Sequence, residues 1–420
     1  MERLRLIHFA DLHLGVDSYG RIDPATGMSS RVVETLEALD QLVDFALGND
    51  VDLVLFCGDA YKNQHPTQTH QRELAKRLKR LAQANVSLVL VAGNHCAGAA
   101  GSLASTLDVF GLLLDGDVTV ARRPTVVNVP SGNRSDSHKA QVLCVPWPNP
   151  REVLEWATAA GLPGIPSDFR KVPLEELTEV VAAATSAMIA NLSELMVLGV
   201  PKILAAHLAV EGTKLGSEQS MMLTRGVGTL SYQQLHPRLF DYVALGHHHL
   251  AQEVGLDPPG AYAGSMMRVD FGESDDGGSK GFYVVDIEQG QPAEVAFIPV
   301  RSRRFVTVDV RPKQEDPMAE VVAAIEKAGV ADAIVRVIVR LSRAKAELFR
   351  ESEVRRALEA AHSVAYIKRE IDQDGRSRSP DGTRWEDLGP IEALRLYLRQ
   401  KGAPGDRLEE LVVAAQRLLA

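Results

Sequence analysis

Five short blocks of aspartate, asparagine and histidine are spread over the first 250 or so residues of the chain. They are Asp11-Leu12-His13, Gly58-Asp59, Gly93-Asn94-His95, the lone His207, and Gly246-His247-His248-His249. Each block follows an apolar run of strand length: Leu4–Ala10, Val51–Cys57, Val86–Ala92, Ile203–Ala206 and Tyr242–Leu245. Taken singly, an aspartate after a strand is most often a turn or helix-capping residue, and a solitary histidine is most often a hydrogen-bonded one. Taken together, the blocks point to metal ligation, because the carboxyl ends of strands in a layered α/β sheet border the crevice where ligands bind. The donors are imidazole, carboxylate and amide without thiolate, which suits manganese, iron or zinc and disfavours calcium or a structural zinc. Two Asp, one Asn and four His exceed the needs of one ion, whereas two ions sharing a bridging carboxylate would use them all. A dinuclear centre is apparatus for phosphoester cleavage: it acidifies a water and stabilises the attacking and leaving oxygens of an in-line displacement. In an extended segment, Asp-x-His and His-x-His spacing puts both side chains on one side, which turns His248 away from the centre.

The elements that must position these blocks alternate. Between the first two apolar runs, Ser29–Leu47 carries Val33, Leu36, Leu39, Val43 and Leu47 at helical intervals, and Gln68–Leu81 places Leu74, Leu78 and Leu81 on one face. Strand, helix, strand, helix predicts a layered α/β domain. Residues 148–200 read as a mostly helical insertion whose longest element runs from Leu174 to Leu198. After Gly246 come short strands at Gln252–Gly255, Ala261–Gly264, Gly281–Ile287 and Glu294–Val300, which predict a second, more antiparallel sheet packed on the first. Past Arg301 the expected order is strand Phe305–Val310, helix Met318–Ala328, strand Ala333–Leu341, helix Ala344–Ala361 and strand Ser363–Glu370, a small α/β module. Residues 371–386 are polar and rich in Gly, Ser and Arg, hence a linker. Two short amphipathic helices around Gly402–Gly405 complete the chain.

Composition is that of a soluble globular protein, with 45% hydrophobic and 24% charged residues. No apolar stretch approaches the roughly 20 residues of a membrane span, and the first residues enter a strand rather than a signal-peptide core; a cytoplasmic protein without membrane attachment is expected. The 3 cysteines, Cys57, Cys96 and Cys144, show no paired spacing, which argues against disulfides or a cysteine zinc site. The net charge of -9 is uneven: acidic side chains outnumber basic ones up to residue 300, and the balance reverses over 301–380. That reversal is compatible with a DNA-contacting surface on the later module.

The ordered blocks Asp11-x-His13, Gly58-Asp59, Gly93-Asn94-His95, His207 and Gly246-His247-x-His249 resemble the calcineurin-like metallophosphoesterase superfamily over about the first 265 residues. Within it, the chain is similar to the SbcD-type DNA repair exonucleases. Ile7-His8-Phe9-Ala10-Asp11-Leu12-His13-Leu14-Gly15, Ala206-His207 followed by Val210-Glu211-Gly212, Tyr262–Ser265 and a two-part C-terminal extension carry that narrower likeness. The resemblance implies a metallophosphoesterase β-sandwich flanked by helices, a small α/β capping domain and a C-terminal helix-loop-helix. It implies that Asp11, His13 and His249 hold one divalent ion, that Asp59 bridges, and that Asn94, His207 and His247 hold a second, the pair being manganese or another divalent metal. His95 would approach the scissile phosphate and assist the leaving oxygen. Two departures stand out. The family's usual carboxylate after Gly-Asn-His is Cys96 here, and Lys62 replaces an acidic residue or histidine three positions after Asp59; Lys62 could hydrogen-bond phosphate or be a solvated surface lysine.

The same resemblance implies residues 1–300 as the nuclease domain, 301–371 as a DNA-capping module, 372–386 as linker and 387–420 as the segment that docks on the coiled coil of an SbcC-like ABC ATPase. Arg301, Arg303, Arg304, Arg340, Arg343, Lys345, Lys368 and Arg369 are the basic candidates for phosphate contacts. The expected activity is two-metal exonucleolytic and endonucleolytic cleavage of DNA (duplex ends, hairpins or single strands) in double-strand break repair, by a homodimer working with that ATPase. Two other readings follow from the same residues: a phosphodiesterase or phosphatase for small nucleotides, or a DNA-end-binding subunit whose turnover is weakened by Cys96 and Lys62.

Overall fold

The computed structural model describes residues 3–96, 104–131, 134–163, 173–216, 229–273, 278–371, 389–401 and 404–419. The expected linker at 372–386 lies outside them. Two compact units divide the chain, Met1–Val306 with Asp332–Ile334, and Thr307–Ala331 with Val335–Ala420.

The first unit begins β1 (Leu4–Phe9), α1 (Ser30–Gly48), β2 (Leu53–Cys57), α2 (Gln68–Gln83), β3 (Ser87–Val91), α3 (Asp108–Leu113) and β4 (Val118–Ala121). Next are β5 (Thr125–Ser131), β6 (Arg134–Val145), α4 (Pro150–Ala159), α5 (Leu174–Ser193), β7 (Lys202–His207) and β8 (Tyr242–Gly246). It ends with β9 (Gln252–Leu256), β10 (Pro259–Tyr262), β11 (Gly281–Ile287) and β12 (Glu294–Pro299). Helix α1 starts where the Ser29 side chain accepts the amide of Arg31, and α2 where Thr67 accepts that of His70, each satisfying a donor with no partner inside its helix.

Two six-stranded sheets result, in the orders β12-β11-β1-β2-β3-β4 and β5-β6-β7-β8-β10-β9. Period-two alternation builds the layers. Leu4, Leu6, Leu53, Leu55, Val89 and Val91 face the other sheet, where they meet Val142, Cys144, Ile203, Ala205, Tyr242 and Ala244. Their neighbours Ile7, Phe9, Val54, Phe56, Leu88 and Leu90 face outward under Leu39, Leu42, Val43, Leu74 and Leu78 of α1 and α2. On the opposite outer face, Leu143, Leu204, Val243 and Leu245 pack with Ile189 of α5. Truncating one of these buried leucines to alanine would cost about 2–5 kcal/mol. Fold class is therefore α/β, a β-sandwich flanked by helices. No helix among the described residues is long and apolar enough to cross a membrane.

The strands after Gly246 do not make a sheet of their own. Strands β11 and β12 extend the first sheet, β11 pairing antiparallel with β1, while β9 and β10 extend the second, β10 pairing parallel with β8. The second sheet is largely parallel, because β6, β7 and β8 run side by side in one direction. Strands β4, β5 and β6 have no counterpart among the elements expected from sequence; the β5–β6 hairpin supplies the edge of the second sheet.

The second unit contains most of β13 (Phe305–Val310) and β14 (Ile334–Leu341), then β15 (Ser363–Ile371), in one three-stranded sheet. Its helices are α6 (Met318–Ala328), α7 (Arg343–Glu347), α8 (Glu351–Ala357), α9 (Pro390–Gln400) and α10 (Gly405–Leu419). The single helix expected over Ala344–Ala361 is two, α7 and α8, because the chain turns extended at Arg350 after burying Phe349. Helices α9 and α10 pack as a pair that buries Leu408 and Val412 but leaves Tyr397, Leu411 and Val413 exposed. Their apolar periodicity predicts burial of Leu411 and Tyr397 as well, and a two-helix hairpin has too few surfaces to provide it.

Candidate metal centre

Parallel pairing brings the carboxyl ends of β1, β2 and β3 together in one sheet and those of β7 and β8 together in the other. The segment after β1 runs beside that after β2: the amides of Asp11, His13 and Leu14 donate to the carbonyls of Gly58, Asp59 and Ala60 at 2.9–3.0 Å. These segments are not extended, as the i, i+2 argument requires. Asp11, His13, Asp59 and His247 all have positive φ, at 51°, 43°, 59° and 102°, so it is left-handed backbone rather than strand pleat that aims them inward. Non-glycine residues rarely adopt this conformation, and its clustering marks a functional site.

Two glycines let the sheets close. A Cβ on Gly58 would lie 2.2 Å from His207 Nδ1, and one on Gly246 would lie 1.9 Å from the carbonyl oxygen of Cys57. In the space so gained, His207 Nδ1 donates to that Cys57 carbonyl at 2.7 Å and the His247 amide donates to the Asp11 carboxylate at 2.9 Å. Both bonds cross between the sheets.

All seven expected ligands converge. The donor atoms of Asp11, His13 and His249 lie within 4.8 Å of one another, as do those of Asp11, Asp59 and His207, and those of His13, Asp59 and His95. Asp59 stands between the clusters: its Oδ2 is 3.5 Å from His207 Nε2 and 3.9 Å from His13 Nε2. Asn94 Oδ1 is 3.0 Å from His207 Nε2. The His247 ring centre is 5.3 Å from that of His207, and its buried Nε2 has no hydrogen-bond partner among the described residues.

This donor set fits cations. With Nδ1 committed to a carbonyl, His207 turns an Nε2 lone pair toward two oxygens. Likewise His249 Nδ1 is bonded to Glu273 at 2.8 Å, which leaves its Nε2 only 3.0 Å from His13 Nε2. Lone pairs so close repel unless a proton or a metal ion lies between them. Burial drives His13 down to about 3 and His247 well below the ordinary imidazole range, so both are neutral and able to ligate. Burial likewise raises Asp11 above the usual carboxylate range, although His207 and His249 oppose it. At Asp59 burial pushes the same way, but His207, His13 and His95 outweigh it and hold this carboxylate well below its usual range. At His207 burial is outweighed by Asp59 and Asp11, which raise this imidazole above its ordinary value; two carboxylates buried among imidazoles are a natural cation site.

His95 is the outlying member. Its amide donates to Asp59 Oδ1 at 2.8 Å and its Nδ1 donates to the Lys62 carbonyl at 2.7 Å. That leaves Nε2 bare, 4.0 Å from Asp59 Oδ2. The other histidine of the triplet, His248, stacks on Tyr262 with ring centres 4.4 Å apart and bonds Thr213 through Nδ1.

Cys96 is 1% exposed and lies in the core cluster under α1 and α2, where burial pushes its thiol up to about 12. It is a core residue, and the ring of His95 is held by a backbone carbonyl. Lys62 Nζ is 2.9 Å from Asp17 Oδ1 on the surface; the contribution of Lys62 to the site is its main chain.

Two further members, Glu273 and Lys280, lie in a stretch that reads from sequence as an acidic turn. Both are buried. Besides His249, Glu273 accepts Ser265 Oγ at 2.7 Å and pairs with Lys280 Nζ, which also donates to the His249 carbonyl at 2.8 Å. Burial alone would raise the Glu273 carboxyl, but Lys280 and His249 hold it well below its ordinary value. No strand-end signature precedes Glu273 that could single it out. The basic candidates are mostly engaged: Arg303 with Glu34 at 2.5 Å, Arg340 with Asp309 at 2.9 Å, Lys368 with Glu370 at 2.7 Å, and Lys345 with the carbonyls of Pro312 and Lys313. The Arg369 guanidinium lies over the Phe349 ring at 5.6 Å. Arg301, Arg304 and Arg343 are exposed.

Residues 4–183 match the family model for calcineurin-like phosphoesterases. The chain is 29% identical over 298 residues to the SbcD component of the nuclease SbcCD of Escherichia coli K12, a match that covers 69% of this chain and 66% of that relative, just under two thirds of its length. The corresponding SbcD component of Bacillus subtilis is 28% identical over 295 residues, covering 69% of this chain and 68% of the relative. The DNA double-strand break repair protein Mre11 of Saccharolobus solfataricus is 24% identical over 318 residues, 74% of this chain and 68% of the relative. The family match and the convergence of donors at the strand ends agree: residues 4–183 match a calcineurin-like phosphoesterase domain, and the chain is similar to SbcD and Mre11 proteins.

Proposed function

We propose that the protein is a two-metal DNA nuclease that acts in double-strand break repair. Asp11, His13 and His249 would hold one divalent ion and Asn94, His207 and His247 the other, with Asp59 between them. The donor set suits manganese, iron or zinc, and manganese is the ion of this proposal. Such ions, when bound, supply an acidified water and neutralise charge on the phosphate. The chain's own residues do the rest. Glu273 and the Cys57 carbonyl fix the ring orientation of two ligands. Since His95 Nδ1 is committed to Lys62, Nε2 is the atom that takes or releases a proton toward the leaving oxygen.

The single observation that carries this reading is the meeting of seven N/O donors and the bare Nε2 of His95 at the ends of five strands. DNA as substrate is supported by the names of the relatives. The name of a nuclease with more than one component supports an SbcC-like partner; that this partner is an ABC ATPase and that residues 387–420 dock on it belong to the proposal. A homodimer, and 301–371 as the DNA-capping module, complete the proposal. A weakened, purely end-binding subunit is disfavoured, because the Cys96 thiol lies in the core and His95 is held without it.

The test is incubation of metal-depleted protein with end-labelled duplex DNA, with and without manganese. Shortened products only with manganese, lost in Asp59→Asn, are expected. Hydrolysis of nitrophenyl phosphates or cyclic nucleotides with intact DNA would instead make it a small-molecule phosphoesterase.

A further inference from the structure

Next to the metal centre lies a cleft of about 370 Å³. It is bounded by Trp147, just after β6, by Trp156 on α4, by Met188 on α5, and by Arg122 and Arg123 between β4 and β5. Trp147 joins the cleft to the centre, for its ring lies 4.6 Å from that of His247 and 5.9 Å from that of His207. Both indoles are half-buried, so each keeps part of its surface on the cleft instead of sealing it in the core.

The lining is selective. Flat aromatic and thioether walls favour a flat π-system. The two arginines at the rim are 45% and 70% exposed; Arg122 pairs with Asp108 at 3.2 Å and Arg123 lies 4.0 Å from Glu152, and both leave guanidinium surface in solvent for a phosphate. The volume falls in the range of about 300–1,000 Å³ typical of pockets that enclose a small organic group, which a single nucleoside fills and a duplex end does not.

We propose that this cleft is a base-binding subsite. The nucleobase of the nucleotide adjoining the scissile phosphate leaves its stack and enters between Trp147 and Trp156, and Arg122 and Arg123 hold the neighbouring phosphate. Stacking on aromatic side chains tolerates any base, so the subsite would set which phosphodiester lies at the metal centre without imposing sequence. This inference rests on the reading of the centre as a DNA nuclease.

Calorimetric titration of the metal-depleted full chain with dAMP and with 2-deoxyribose 5-phosphate tests it without any turnover. The dAMP should bind at least about tenfold tighter, Trp156→Ala should erase that difference and Trp156→Phe should restore most of it. In parallel, manganese-supported cleavage of duplex ends is compared for a terminal base and a terminal abasic site; the base should be favoured about tenfold in wild type and not in Trp156→Ala. Equal affinity for the two ligands, or a base preference that survives Trp156→Ala, overturns the subsite. If dAMP binds through Trp156 but DNA stays intact, the subsite stands and the nuclease reading falls; if DNA is cut equally with and without the terminal base, the reverse holds.

Discussion

The Nδ1 of His95 lies 2.7 Å from the carbonyl oxygen of Lys62, three residues beyond Asp59. A main-chain acceptor thus orients the one histidine of the centre that is not an expected ligand. Orientation by a carbonyl fixes the ring without adding a second negative charge beside Asp59.

From this contact, His95→Ala should lower kcat for manganese-supported DNA cleavage by about 10²–10⁴-fold while metal content stays at the wild-type level. Lys62→Ala should cost far less, since the carbonyl remains. Steady-state kinetics with metal analysis decide; comparable losses in both variants would show that the lysine side chain, not the main chain, matters.

Glu273→Gln should weaken metal binding by about 10–100-fold, because the His249 ring loses its charged partner. Both Glu273→Gln and Glu273→Ala should in addition destabilise the fold, the alanine by about 3–5 kcal/mol, since each leaves buried Lys280 without its counter-charge and the alanine also removes its hydrogen-bond acceptor. Metal titration and urea unfolding measure the two effects separately. Wild-type metal affinity in Glu273→Gln would remove this carboxylate from the site.

Cys96→Asp restores the carboxylate common after Gly-Asn-His, yet it should not raise activity. The side chain is buried beside the Asp59 carboxylate, and although the amides of Ala60 and Gly93 face it, a second buried negative charge there costs stability. A lower Tm without faster cleavage is expected. Faster cleavage would mean that the thiol position reaches His95.

Acid should destabilise the metal-depleted protein through histidines outside the ligand set. His8 is fully buried: the Tyr242 hydroxyl donates to its Nδ1 and its Nε2 donates to the Leu245 carbonyl. Burial lowers His8 to about 3 and His248 to about 4, both below the unfolded value of 6.5. Their stability is therefore present above pH 6.5 and lost as pH falls toward 4 and 3, at up to about 1.4 kcal/mol per pH unit for each. Asp11, raised in the folded state, acts in the opposite sense. Urea unfolding at pH 4.5, 5.5 and 6.5 should show a slope shallower by about one proton in His8→Gln; an unaltered slope would refute the assignment.

Removal of the chain from Gly389 onward should abolish co-purification with an SbcC-like ATPase while manganese-dependent cleavage persists. The exposed Tyr397, Leu411 and Val413 are the side chains such a partner would cover. Retention of the complex would end the docking proposal.

The donor residues were legible in the sequence, because a strand-end position and an N/O side chain are both local properties. So were β1, β2, β3, β7 and β8 and helices α1 and α2, whose apolar periods are strong. Much else was not. Strands β9 to β12 look alike in sequence, and only long-range pairing assigns two of them to each sheet. The left-handed backbone at Asp11, His13, Asp59 and His247 leaves no mark in the apolar periodicity, although Asp and His tolerate it better than other side chains. Glu273 and Lys280 bound a turn-rich acidic link in the sequence, and a charge pattern carries no information on burial. Cys96 read as the neighbour of a catalytic histidine, whereas its thiol lies in the core cluster and the His95 ring is bonded to the Lys62 carbonyl. The sequence by itself determined which atoms could ligate and on which strands they sit; the tertiary structure decided which backbone conformation aims them, which carbonyls and carboxylates hold their rings, and what lies beside them, because those depend on contacts between segments up to 236 residues apart.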